Sequence, residues 1–173
     1  METVKGPDSR ALELERMVRL YQLPLLRLCY AYLGDEESAK DAVQETFIKA
    51  FRSLDGFRRI SSEKSWLTRI AINTCKDMRR TSWFRHVDRR VTPEMLPEGA
   101  APAAEDARAV TLAVMNLPVK LKEATLLCWL QGMTCEEAAE ALGITHQAVS
   151  SRLHRARRLL RTAMEGRDPH DPE

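Results

Sequence analysis

Between residues 145 and 161 the chain carries Gln147, Ser150, Ser151, Arg152, His154, Arg155, Arg157, Arg158 and Arg161, and not one Asp or Glu. A guanidinium presents a planar fork of N–H donors that grips a phosphate or a guanine edge through two bonds. Ser, Gln and His near the start of a helix are short enough to reach base edges in a groove. A solvated structural helix mixes its signs, so the one-sided charge points to a polyanion. Through the same segment Val149, Leu153, Ala156, Leu160 and Ala163 recur at helical spacing. The polar and basic residues therefore cover the rest of one helix, over residues 147–161.

The residues before it read as the other half of a helix-turn-helix. Thr134, Cys135, Glu136 and Glu137 form a capping box, in which Thr at the N-cap and Glu three residues on satisfy each other's backbone donors. Ala138, Ala139 and Leu142 give the short helix its inner face. Gly143 supplies the left-handed residue that a tight turn needs, Ile144 plugs the turn, and Thr145 caps the basic helix.

A second cationic group lies at mid-chain. Arg69, Asn73, Lys76 and Arg80 fall four, three and four residues apart, on one face of a helix expected over residues 66–80. Leu67, Ile70, Ala71, Thr74 and Met78 form its buried face. Such a face suits a phosphate backbone, with Asp77 the nearby acid. Trp66 reads as a core anchor at the helix start.

The remaining reactive residues do not assemble into a catalytic or metal centre. Cys29, Cys75, Cys128 and Cys135 make no C-x-x-C pair, and His146 and His154 stand two turns apart. No phosphate cradle or carboxylate cluster suggests a reaction. The expectation is four reduced thiols, no catalytic residue, no metal and no cofactor.

Helical periodicity runs almost throughout the 173 residues. Residues 12–33 are rich in Leu, Met and Tyr, with Pro24 predicting a break or kink near Leu23. Gly34 ends this stretch and Asp35 caps the next helix, to about Leu54. There Ala39, Val43, Phe47, Ala50, Phe51 and Leu54 form an apolar stripe, and Asp41, Gln44, Glu45, Lys49 and Arg52 lie off it. In residues 86–106, Pro93, Pro97, Gly99 and Pro102 mark a linker. Fully stretched it would reach roughly 65 Å, against about 25 Å for a free coil. Beyond it, Val110, Ala113, Val114 and Leu117 predict a helix ended by Pro118, and a further helix runs over residues 121–131 to Gly132. The fold class is all-α: two small helical domains, residues 10–85 and 107–164, joined by an extended linker and followed by a polar tail, 165–173, expected to be disordered.

Net charge is +2, with 44% hydrophobic and 30% charged residues. No apolar run is long enough to cross a bilayer, and the N-terminus lacks the pattern of a signal peptide. The expected compartment is the cytoplasm, without membrane insertion.

Three stretches together resemble the extracytoplasmic-function (ECF) sigma factors of the sigma-70 family. They are Asp41-Ala42-Val43-Gln44-Glu45-Thr46-Phe47 with Ala50-Phe51; Ser65-Trp66-Leu67-Thr68-Arg69-Ile70-Ala71-Ile72-Asn73 with Cys75, Lys76, Asp77, Arg79 and Arg80; and Gly143-Ile144 with Ser151-Arg152-Leu153-His154-Arg155-Ala156-Arg157. The resemblance spans roughly residues 14–164. It implies an initiation factor that binds core RNA polymerase, directs it to promoters and helps open the duplex, in a stress or envelope response under an anti-sigma factor.

By the same resemblance, Asp41, Gln44, Glu45, Lys49 and Arg52 would meet the clamp of the largest polymerase subunit, and the C-terminal domain the flap of the second. Arg58, Arg59, Ser61, Ser62 and Lys64 would line a pocket for unstacked −10 bases, and Arg69, Asn73, Lys76 and Arg80 would track the adjacent backbone. His146, Gln147, Ser150, Ser151, Arg152, His154, Arg155 and Arg158 would read the −35 element. Threading through the polymerase would hold the linker extended. The alternative is a helix-turn-helix regulator acting without polymerase. Such proteins usually dimerise on paired half-sites, and this chain has no heptad seam for that.

Overall fold

The computed structural model describes residues 7–57, 62–80 and 102–165. Arg58, Arg59 and Ser61, the expected linker as far as residue 101, and the tail from residue 166 lie outside them. The described residues form helices and turns, with no strand among them. They belong to two compact units, Met1–His86 and Val87–Glu173.

The first unit holds α1 (Pro7–Leu33), α2 (Glu36–Ser53), a 3-10 turn (Leu54–Gly56) and α3 (Glu63–Arg80), each helix packing on the other two. Its centre is Met17, Leu25 and Leu28 of α1, Ala39, Ala42 and Ala50 of α2, and Leu67 and Ile72 of α3, all essentially removed from water. Each large apolar side chain buried this way contributes on the order of 1.5–3 kcal/mol. The alanines let the backbones come close.

Chain punctuation follows the expected chemistry. Gly34 takes the left-handed conformation (φ 75°) and donates to the Tyr30 carbonyl, closing α1. Asp35 caps α2, its carboxylate accepting from the Ser38 amide at 2.9 Å. Pro24, in contrast, does not break α1, which runs through it. The carbonyl left without an intrahelical donor belongs to Leu20, on an exposed stretch where water can serve it, while Leu25 and Leu28 anchor the following turns. Arg10 ties the start of α1 to the end of α2: it donates to the Phe51 carbonyl at 2.8 Å, pairs with Asp55 at 3.1 Å and stacks on the Phe51 ring.

The second unit holds α4 (Pro102–Met115), α5 (Val119–Thr125) continuing into a π-helical turn (Leu126–Leu130), α6 (Cys135–Leu142) and α7 (His146–Glu165). Residues 102–106, read as linker, are helical: Pro102 is the first residue of α4, where its fixed φ suits a helix and its missing N–H is no loss. Two apolar clusters hold the unit. Ala124, Leu127, Met133, Ala138, Ala139 and Ala141 enclose Val149 and Leu153 of α7, and Leu117 with Ala113, Val114 and Leu121 encloses Ala156 and Leu160. Ala163, expected on the same stripe, is exposed, so the buried line of α7 ends at Leu160.

Candidate nucleic-acid interface

The helix-turn-helix is built by its caps. Thr134 Oγ1 accepts from the Glu137 amide at 3.1 Å, and the Glu137 carboxylate accepts from the Thr134 amide at 2.9 Å, completing the capping box. Gly143 closes α6 in the left-handed region (φ 65°), and the Ile144 amide returns to the Ala139 carbonyl at 3.0 Å. Ile144 packs on the cluster around Val149. Thr145 Oγ1 accepts from the Ala148 amide at 3.1 Å and starts α7. These contacts fix the turn, and the apolar stripe then decides which face of α7 looks outward.

On that outward face Gln147, Ser150, Ser151, His154, Arg155 and Arg158 are exposed, with Arg161 one turn further on. His146 is exposed at the helix start, its Nε2 3.4 Å from the Glu136 carboxylate. Arg152 lies elsewhere. Its side chain is 20% exposed and its Nη1 is 3.8 Å from the carboxylate of Glu123 on α5, which is buried. Periodicity shows that Arg152 is off the stripe but not that an acid waits beneath it. Arg157 is likewise occupied, its guanidinium 5.4 Å from the centre of the Trp129 ring.

On α3, Asn73 and Arg80 are exposed and Arg69 and Lys76 half-buried, along the single face their spacing predicts. Arg80 lies 4.0 Å from Asp77. Ser62 is the N-cap of α3, its hydroxyl accepting from the Ser65 amide at 3.0 Å, and Lys64 is exposed in the first turn. Trp66 is buried and stacks on Phe57 with ring centroids 4.6 Å apart, the anchor expected of it. Arg16 of α1 grips the Glu63 carboxylate with both terminal nitrogens, at 3.1 and 2.5 Å, which ties the start of α3 to α1. Burial, then this carboxylate, pushes the Tyr21 phenol up.

On α2, Asp41, Gln44 and Arg52 are exposed and Glu45 is half-buried. Lys49 instead crosses to α3. An apolar groove of about 570 Å³ opens between α1 and α2, floored by Leu14, Val18, Leu26, Val43, Phe47 and Phe51, with Gln44, Lys40 and Arg52 at its edge. Sequence reasoning missed it. Its α1 wall, Leu14, Val18 and Leu26, is half-buried, and by spacing alone these residues read as part of the core.

The chain matches the family model for sigma-70 region 2 over residues 17–85 and that for sigma-70 region 4 over residues 107–160. It is 33% identical to the RNA polymerase sigma-H factor of Pseudomonas aeruginosa, over 95% of this chain and 92% of that one. The chain belongs to the ECF sigma factors of the sigma-70 family. With the ECF RNA polymerase sigma-E factor of Haemophilus influenzae it shares 31% identity over 95% of this chain and 93% of that one. Two solved structures resemble this sigma factor. One is the sigma factor RpoE in complex with the anti-sigma factor NepR from Bartonella quintana (TM-score 0.71, 26% identity, 88% of this chain and 97% of that one). The other is CnrH in complex with the cytosolic domain of CnrY (TM-score 0.67, 25% identity, 90% and 89%). The region 2 match begins at Met17, within α1, and runs past the end of α3. The region 4 match ends at Leu160, where the buried stripe of α7 also ends. A region 2 match over the first unit is what separates a sigma factor from a regulator with an unrelated sensing domain.

Proposed function

We propose that this ECF sigma factor binds core RNA polymerase, carries it to promoters through −35 and −10 contacts, and is itself no enzyme. The observation that carries the reading is the exposed arc of α7, where Gln147, Ser150, Ser151, His154, Arg155 and Arg158 stand together and the helix carries no Asp or Glu before Glu165. The first turns suit base edges and the later arginines suit phosphates. Their carriage on one α-helix fits major-groove entry.

In this reading residues 10–85 form the region 2 domain. Asp41, Gln44, Glu45 and Arg52, beside the apolar α1–α2 groove, dock on the clamp of the largest subunit, and Lys49 supports that helix from behind. Arg69, Asn73, Lys76 and Arg80 track the −10 backbone while Arg58, Arg59, Ser61, Ser62 and Lys64 surround the unstacked bases. Holding flipped bases supplies the opening energy without ATP. The domain that begins with α4 reads the −35 element and rests on the flap of the second subunit, and the linker threads between. The complexes of RpoE with NepR and of CnrH with CnrY favour control by an anti-sigma partner here too. Among the described residues no helix is long and apolar enough to cross a membrane, in keeping with action in the cytoplasm.

The test is co-purification with core polymerase followed by run-off transcription on genomic fragments. The reading expects a stoichiometric complex and discrete start sites that share upstream elements. Failure to bind core, or start sites identical to those of core alone, would refute it.

A further inference from the structure

Two arginines flank the buried stripe of α7. At about 100° per residue, Arg152 falls to one side of the line through Val149, Leu153, Ala156 and Leu160, and Arg157 to the other. Both are held by the same stretch of chain. Arg152 is 3.8 Å from Glu123 on α5, and Arg157 lies over the ring of Trp129 in the π turn that continues α5. Glu123 is only 7% exposed. The outward arc between the two arginines carries Gln147, Ser151, His154, Arg155 and Arg158.

We infer that Glu123 and Trp129 are positioning residues for promoter recognition. They withdraw Arg152 and Arg157 from the DNA-facing set and fix the roll of α7 about its own axis. The buried stripe sets which face of α7 looks outward, and the flanking contacts hold the finer angle within that setting. The ion pair at 3.8 Å and the cation–π contact sit on opposite flanks, so a roll either way lengthens one of them and weakens it. The consequence is large at the groove: on a helix about 5–6 Å in radius, a roll of about 20° moves a side-chain tip by about 2 Å, out of hydrogen-bond reach. Glu123 also offsets a cation that would otherwise strengthen binding to any sequence. The inference rests on the reading of α7 as the −35 reader.

The test uses holoenzyme assembled from core polymerase and full-length variants, on a promoter found by run-off and on the same fragment with its −35 segment scrambled, over a salt series. Glu123→Gln and Trp129→Ala are each expected to reduce the preference for the intact element by about 5-fold, the lower end of what one wrong base contact costs. Trp129→Phe, which keeps a ring beneath Arg157, retains the preference. Arg152→Ala also reduces preference but leaves the salt slope as it is, whereas Arg155→Ala flattens the slope by about 0.9, one phosphate contact. Circular dichroism melting identifies any variant that has unfolded, and Trp129→Phe against Trp129→Ala then carries the comparison. An Arg152→Ala slope flattened like that of Arg155→Ala, with preference intact, would make Arg152 a DNA contact and overturn the inference. So would wild-type preference in folded Glu123→Gln and Trp129→Ala. If Arg155→Ala changes neither slope nor initiation, the −35 reading itself fails, and the inference falls with it.

Discussion

Lys49 of α2 donates to the Thr74 hydroxyl of α3 at 3.2 Å and lies 3.8 Å from the Asp77 carboxylate, so it is a strut between two helices and not an outward cation. Its own-helix neighbour Glu45 is 4.0 Å away. Thr74 is buried, and the ammonium gives its hydroxyl a charged partner across the helix pair. Lys49→Ala is expected to lower stability by about 0.5–1 kcal/mol, the range of a partly exposed ion pair. Urea unfolding of the full chain measures this, and a curve superimposable on wild type would remove the strut.

Asp41 is exposed and Glu45 half-buried on the same helix, with no apolar packing to lose. The double reversal Asp41→Lys, Glu45→Lys is therefore expected to cost no more than about 1 kcal/mol of stability, from the anion that Lys49 loses 4.0 Å away, while weakening capture of core polymerase by at least about 10-fold, the scale of one lost charge-assisted contact. Pull-down against core at two salt concentrations tests it. Wild-type retention at both would take these residues out of the docking face.

Gly143 sits at φ 65° with nothing within 4 Å of the place a Cβ would occupy. Gly143→Ala meets no clash, and its whole effect comes from holding a non-glycine residue in the left-handed region, about 1–2 kcal/mol. A drop in melting temperature of several degrees is expected for a chain of this size. Gly143→Asn should lose less, because Asn tolerates this conformation better. Equal losses for both would point to a steric cause.

The cysteines are expected to react in two classes. Cys75 is buried and shares a hydrogen bond with Cys29, which together with desolvation raises its thiol far above the ordinary range. Cys128 is half-buried, and burial, then the neighbouring Cys135, push it up to about 11. A thiol raised on folding favours the protonated native state. The stability this gives is fully present below the unfolded value and is lost as pH rises toward about 11. Labelling with a thiol reagent should accordingly leave Cys29 and Cys75 untouched in the folded protein, and modify Cys128 faster as pH climbs from 8 to about 10. Rapid modification of Cys75 before unfolding would contradict the packing of α1 on α3.

Much of this architecture is legible in the sequence because local rules decide it. Asp35, Thr134, Gly143 and Thr145 each take the cap or turn role that their chemistry dictates. The stripes of α2 and α7 face inward as their spacing requires. What was hidden depends on partners distant in the chain. Lys49, Arg152 and Arg157 have stems long enough to turn several ways, and only the packing of α3 and α5 supplies Asp77, Glu123 and Trp129 as destinations. At two prolines a helix continues or begins where a stop is one of the readings. Pro24 is carried through α1 by the leucines that follow it, and Pro102 begins a helix where composition suggested a linker. The apolar α1–α2 groove left no mark in periodicity, because a leucine lining a groove and a leucine in the core look alike.

The π turn at Leu126–Leu130 has a bearing on how this chain is compared with others. There the Gln131 amide reaches back to the Leu126 carbonyl, five residues away, so one more residue is wound into the turn than an α-helix would hold. A chain one residue shorter could run α-helical through this stretch and still reach the glycine turn at Gly132. An alignment gap against such a chain therefore belongs within residues 126–130 and not in the adjacent loop. Placed in the loop, it would equate Trp129 with a residue roughly 100° away around the helix, and hide whether the seat beneath Arg157 is kept.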